Sequence, residues 1–501
     1  MLTGSNRFTA IILAGSAIYL YVNVFTFWGV PFLLGGDQVY FWTYGLRMLH
    51  GERIYQDFFT MHPPGTGLFY STLFALFGEQ VWVTNLAVLV LGVLLCWLCF
   101  RIASQIMEEH LALLATWLFL VLVYGKMLNG THHWFSVLAV MGAVAAILPG
   151  ATFWRIVLAG SLLGAASFFT QTRGPFALMG FAAFLVWDWR LLKGQWRELL
   201  TRQILLLVSF AGTLTLLSSY FIATTGLGTL WYFQITYVRQ NLARTGSFGL
   251  PGPLSWYLLI DVPYLCIYVA LPIAYSVALC RCWRGPATRK TRAVMLLGLV
   301  GFCLLTEVAL NVNWVRVFVV SMPGIVLLVW MVAESRRARR YVVPIAWVVL
   351  VSLGLTQMWV RHAHAEVIAE LPGGRVALRR EAFEKLNWLA QRTKPGAFFF
   401  QAAWTSFYLP LRLRNPAFLD LLESSALTSP EYVQLTIQQL EAKRVRYVLW
   451  PPRLDAAAAD TSYGQNQYHL GPFRDYLHEH YHLAFRFSDS EEMWERNSPA
   501  G

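Results

Sequence analysis

From Gln80 to Phe100 the chain reads QVWVTNLAVLVLGVLLCWLCF, without one charged side chain. At about 1.5 Å per residue, a helix of this length crosses the roughly 30 Å hydrocarbon core of a bilayer. Runs of the same kind recur on both sides, near 8–30, 111–127, 134–149, 156–170, 175–187, 204–225, 256–279, 293–311, 317–333 and 341–359. Together they predict a mainly α fold, a polytopic membrane helical bundle of about 11 transmembrane helices. The fourth to sixth runs are short and are broken by Pro149 and Gly174-Pro175, which membranes tolerate where the backbone is buried in protein. Composition agrees. Of 501 residues, 57% are hydrophobic and 13% charged, outside the range of soluble domains.

The net charge of +12 would suit nucleic acid, but its placement argues otherwise. Basic residues gather in alternate connections: Arg190, Lys193, Arg197 and Arg202, then Arg281, Arg284, Arg289, Lys290 and Arg292, then Arg336, Arg337, Arg339 and Arg340. The other connections hold only scattered ones, such as Arg47, Arg53, Arg173, Arg239, Arg244 and Arg316. The positive-inside rule then puts the N-terminus in the cytoplasm and the long first loop and tail outside, with no nucleic-acid partner. Phe8 to Val30 follows a single Arg7 and precedes no convincing small-residue cleavage site, so it reads as a retained first helix rather than a signal peptide. The six cysteines fall in the spans or at their inner ends, as packing residues and not a disulfide framework.

After Trp359 the texture changes. Residues 1–360 read as the membrane domain, including a first outer loop at 31–79, and 361–501 as a soluble extracytoplasmic α/β domain. Within the tail the pattern predicts a helix over 376–392, a strand over 397–401, a helix from the Ser429-Pro430-Glu431 cap to Lys443, and a strand over 445–450. A short helix over 473–480 and a strand pair over 483–487 and 493–496 complete it. The tail has no Gly-rich nucleotide loop, and acceptor recognition and plain stabilisation remain equal readings of its role.

Polar groups gather against the membrane without a topological reason in the first outer loop. It runs Leu34-Gly-Gly-Asp37-Gln-Val-Tyr40, then an amphipathic helix through Arg47, then Tyr55-Gln-Asp57-Phe, then His62-Pro-Pro-Gly65, then an apolar stretch to Phe77 too short to span. A carboxylate there can take a proton from an acceptor hydroxyl, and an arginine at a span's outer end can grip a phosphate bidentately. The bland alternatives are that Asp37 caps a helix and that a lone outer arginine snorkels to headgroups.

This order of residues resembles the first-loop signature of the GT-C superfamily, and more narrowly the bacterial branch of the protein mannosyltransferase and aminoarabinose transferase families. Thr170-Gln-Thr-Arg173-Gly174-Pro175 resembles the basic-Gly-Pro element of those families, with arginine where lysine is usual. Asn313-Trp-Val-Arg316 followed by Pro323 resembles their late Arg-to-Pro stretch. The resemblance covers roughly the first 360 residues. It implies a glycosyltransferase of the bacterial inner membrane that takes a sugar from a polyprenyl-phosphate donor on the periplasmic face and gives it to a lipid, glycan or protein acceptor. It implies Asp37 as the catalytic base and Arg173 and Arg316 as ligands of the donor phosphate, with His62 in the place of a commoner lysine. Asp57, Tyr55, His132, His133, Glu307, Arg239 and Arg244 are further candidates for substrate binding, and Glu307 is expected to pair with Arg316 or another basic group. No cofactor is expected. A divalent cation on His132 and His133 with Asp37 and Asp57 is the lesser possibility, because adjacent helical residues face different ways. The rival class is a transporter or flippase of lipid-linked sugars, disfavoured because no internal repeat is seen.

Overall fold

A computed structural model of the chain describes residues 4–241, 258–283, 285–286, 288–309, 314–402, 406–422, 428–455 and 470–497. Among the described residues helix occupies most of each expected span, although the first helix ends at Val24 and that over 317–333 is interrupted at Val320 and Ser321. Seven of these helices are long and apolar enough to cross a membrane: Arg7–Val24, Val81–Ala103, Glu109–Met127, Arg173–Leu192, Trp196–Thr225, Arg289–Ala309 and Arg336–Ala363. Shorter apolar helices, His132–Ile147, Phe153–Phe169, Val269–Trp283 and Met322–Glu334, account for the others.

Two compact units emerge. One comprises Met1–Phe25, Leu86–Tyr220 and Ser247–Ala363, and the other Thr26–Asn85, Phe221–Gly246 and His364–Gly501.

The first unit is a helical bundle. Lipid offers no hydrophobic drive for helices to associate, so close approach through small residues matters. Helix Arg173–Leu192 lies against Arg289–Ala309 at Gly180, where a Cβ would come within 2.9 Å of the Val300 Cα. At the start of the same helix, a Cβ on Gly174 would stand 2.5 Å from the Leu163 carbonyl and collide with the Ser167 hydroxyl. Several buried polar groups in this unit find partners. Where the helix from Glu109 widens into a π-turn over Phe119–Tyr124, Gln357 donates to the Val121 carbonyl at 3.0 Å and accepts from the Tyr19 hydroxyl at 2.5 Å. Buried Asp188 pairs with Arg292 at 2.7 Å and with Arg202 at 3.9 Å. Two of the residues expected only to signal topology thus also tie helices together.

The second unit joins the 26–85 segment to the C-terminal segment. Its four-stranded sheet has the order β3-β4-β6-β5, with β3 (Phe400–Gln401) parallel to β4 (Tyr447–Trp450) and the pairs to β6 (Glu491–Arg496) and β5 (Tyr481–Ser488) antiparallel. Helices Pro430–Ala442 and Gly471–His480 fall where the sequence predicts them, and Ser429 caps the first by accepting from the Tyr432 amide at 3.3 Å.

The helix expected over 376–392 is shorter. It runs Arg380–Ala390, and residues 376–378 belong to β2 (Gly374–Leu378), which forms a hairpin with β1 (Val367–Leu371). The reason is a distant partner: the Ala377 amide donates to the Pro31 carbonyl at 2.8 Å, and the Leu33 amide donates to Ala377 at 2.9 Å. In the 26–85 segment, helices Gln38–Leu49 and Gly65–Phe77 pack through Gly45, where a Cβ would come within 2.7 Å of the Tyr70 Cβ.

Candidate active site

In the helical unit, one short stretch gathers most of the chemistry. The turn Thr170-Gln-Thr-Arg173 leads into helix Arg173–Leu192. Thr170 donates to the His132 carbonyl at 3.1 Å, which fixes the turn to the start of helix His132–Ile147. Two residues on, the Thr172 hydroxyl donates to Glu307 Oε1 at 2.6 Å, and Arg173 Nε donates to Glu307 Oε2 at 2.8 Å. Glu307 stands in helix Arg289–Ala309, whose approach Gly180 permits.

Arg173 is fully buried. Its Nη1 and Nη2 have no hydrogen-bond partner among the described residues. A buried donor left unmade costs about 1–3 kcal/mol, so this guanidinium presents two adjacent N–H edges to any anion that reaches them. Arg316, in the short helix Trp314–Val319, lies close enough to sense the charges of both Glu307 and Arg173. The cluster therefore sets two guanidiniums against one carboxylate.

His132 and His133 are both buried, and their rings lie 3.9 Å apart at a tilt of 36°. The expectation that they face different ways is corrected by this geometry: both sit in the first turn of their helix, where the rings fold onto each other. Among the described residues, no group of three His, Cys, Asp or Glu side chains is arranged to hold a metal ion.

In the second unit, Asp37 opens helix Gln38–Leu49 but makes no side-chain capping bond. The cap that a bland reading assigned to it is thus absent, and the carboxylate stays exposed. Desolvation by the surrounding protein nevertheless raises its pKa above the ordinary aspartate value.

The other candidates of this unit are engaged internally. Asp57 accepts from the Arg53 amide at 2.6 Å and closes a tight loop. Tyr55, at φ 68°, donates its hydroxyl to the His62 carbonyl at 2.6 Å, accepts from Gln234 at 3.0 Å, and stacks on Phe233 at 5.5 Å. His62 takes a Thr60 hydroxyl on its amide at 3.1 Å and sets its ring edge-on to Phe41 at 5.2 Å. Arg239 is exposed on the helix Tyr237–Asn241, and Arg244 lies outside the described residues.

Sequence inspection did not single out Arg47, the most heavily engaged side chain of the unit. It pairs with Asp420 and Glu52, each at 2.7 Å, donates to the Ala417 and Asp57 carbonyls at 2.8 and 3.0 Å, and lies over the Phe58 ring at 4.7 Å. Its only signal was a cation on an otherwise apolar helix face.

Comparison with known proteins adds a family match over part of the chain, and a fold. The family described as dolichyl-phosphate-mannose-protein mannosyltransferase matches residues 61–214. The structure is similar to that of ArnT from Cupriavidus metallidurans bound to undecaprenyl phosphate, with a TM-score of 0.64 over 99% of both chains at 13% identity. The chain has the GT-C fold. The GT-C fold is also that of the archaeal oligosaccharyltransferase AglB from Archaeoglobus fulgidus, solved with an inhibitory peptide and a dolichol-phosphate. It matches with a TM-score of 0.56 over 91% of this chain and 71% of that one, at 10% identity. No curated protein sequence matches the chain. The chain is a multi-pass membrane protein whose helical bundle and small C-terminal α/β region are those expected from its sequence.

Proposed function

We propose that the protein is a glycosyltransferase that moves a sugar from a polyprenyl-phosphate carrier to an acceptor hydroxyl at the outer face of a bacterial inner membrane. The observation that carries this reading is the Arg173 guanidinium, held from one side by Glu307 at 2.8 Å with both terminal nitrogens unpartnered among the described residues. Such a fork matches two oxygens of a phosphate. Arg316 supplies a second cation, and the AglB and ArnT structures of like fold were solved with lipid phosphates. The distribution of basic residues supports the outer face.

In the proposed transfer, the acceptor oxygen bonds to the anomeric carbon and its proton passes to the Asp37 carboxylate. The bond from that carbon to the phosphate oxygen breaks, and its electron pair leaves on polyprenyl phosphate, which Arg173 and Arg316 stabilise. We assign the step no metal, since Arg173 and Arg316 supply the cations that meet the leaving phosphate oxygens.

The test is transfer from a panel of radiolabelled polyprenyl-phosphate sugars to a membrane extract by purified protein, with EDTA in a parallel sample. Asp37→Asn should lower the rate by about 10²–10⁴-fold. Because Asp37 acts ionised and its pKa is raised, wild-type activity should fall on acidification along a limb above the usual aspartate range. A fully active Asp37→Asn protein overturns the assignment of the base, and loss of activity in EDTA overturns the metal-free step.

A further inference from the structure

Glu307 is nearly buried, at 7% exposure, among apolar helices, where an acid is costly unless it serves a purpose. A carboxylate commonly grips arginine across the two terminal nitrogens. Glu307 does otherwise. Oε2 takes Nε of Arg173 at 2.8 Å, and Oε1 takes the Thr172 hydroxyl at 2.6 Å. This side-on hold locks the guanidinium plane and leaves the Nη pair unpartnered among the described residues. It also sets one carboxylate against the two positive charges that Arg173 and Arg316 bring, and Arg316 senses both residues.

Resting on the reading that this cluster holds a carrier phosphate, we propose that Glu307 is a positioning residue that aims Arg173 and sets the charge of the site so that the spent carrier is released. The bound donor is a phosphodiester with one negative charge. The product polyprenyl phosphate is a monoester whose second ionisation lies near pH 6, so it approaches two charges at neutral pH. A site of net charge near +1 holds the donor and gains from the second charge of the product only about half of what a site of +2 would gain. Without the carboxylate, the same two guanidiniums would retain the product.

The experiment measures donor turnover and inhibition by added polyprenyl phosphate in the purified full-length protein. Glu307→Gln keeps an oxygen for Nε but removes the charge. The donor KM should stay within about twofold, inhibition by polyprenyl phosphate should tighten about tenfold, and kcat should fall as release slows. Glu307→Asp keeps the charge at a shorter reach, so inhibition should stay as in wild type while the donor KM rises. Unchanged product inhibition in Glu307→Gln overturns the proposal, as does tightened inhibition in Glu307→Asp, which decides the matter alone if the glutamine variant does not fold. Arg173→Ala separates the two levels. If it turns over donor like wild type, the phosphate site itself is wrong. If it is inactive while both Glu307 variants behave as wild type, the site stands and only the role of Glu307 falls.

Discussion

Arg173 and Arg47 are both buried arginines paired with carboxylates, with side-chain exposures of 0% and 4%, yet they are built for opposite ends. Arg47 directs its guanidinium nitrogens to Glu52, Asp420 and two carbonyls, and lays its plane over Phe58. Arg173 has one hydrogen bond through Nε and two terminal nitrogens without a partner among the described residues. Burial and pairing alone do not distinguish a structural ion pair from a ligand site. The donors left over do: Arg47 is complete without a ligand, and Arg173 is complete only with one.

The largest expected effects test that contrast directly. Arg47→Met leaves Asp420 buried without its cation, which should cost about 3–5 kcal/mol of stability, read as a lowered unfolding midpoint of the detergent-solubilised protein. Transfer per folded molecule should hardly change. Arg173→Ala should reverse the pattern, lowering kcat/KM by about 10²–10³-fold with a smaller loss of stability. If Arg47→Met abolishes transfer in protein that remains folded, the contrast between a framework arginine and a ligand arginine is wrong.

The two clusters also differ in how far a sequence can reveal them. Glu307 and Arg173 draw notice because charge is costly in an apolar run, and Asp37 because it follows a span at the head of an amphipathic helix. That Glu307 meets Arg173 is not legible, because the two lie 134 positions apart and their contact depends on Gly180 admitting Val300. The spans themselves are legible, since hydrocarbon thickness dictates an unbroken apolar length. Nothing comparable marks β2 or Arg47. Residues 376–378 are strand because Pro31 and Leu33 bond to Ala377, and Arg47 is buried because Asp420 arrives from 373 positions away. Local periodicity carries no trace of a partner that distant. The role expected of Tyr55 illustrates the converse: the residue is conspicuous in the loop, but its hydroxyl is occupied by His62 and Gln234.

A smaller effect sharpens the description of the Arg47 cluster. Burial pulls the Arg47 pKa down, but Asp420 and Glu52 together more than reverse this and raise it. Asp420 has less support. Its desolvation outweighs Arg47 and the Asn415 amide, and its carboxyl is pushed up to about 6, with Oδ2 buried and unpartnered among the described residues. The carboxyl is therefore the group that titrates. Its folded value lies above the unfolded 3.8, so the fold binds this proton more tightly; the associated stability is complete below the unfolded value and is lost as pH rises through the folded one. Wild-type protein should lose about 1–3 kcal/mol through this group between about pH 4 and pH 7. Asp420→Asn should flatten that part of the curve. Parallel stability curves for the two proteins would show that Asp420 is ionised throughout and that Arg47 fully compensates its burial.

The smallest effect asks whether leftover donors are the right criterion outside the arginines. Tyr55 is buried and aromatic in the same loop segment as the candidate base, features that invite a substrate-binding role. Its hydroxyl, however, joins the His62 carbonyl at 2.6 Å to the Gln234 amide at 3.0 Å, and its ring is stacked on Phe233. By the measure that separates Arg173 from Arg47, it belongs to the framework. Tyr55→Phe keeps the stacking and deletes only the two hydrogen bonds, so it should cost about 1 kcal/mol of stability and leave the donor KM where it was. A raised KM at unchanged stability would mean that this hydroxyl exchanges its internal partners for substrate, and that a satisfied group in this fold can still be a ligand.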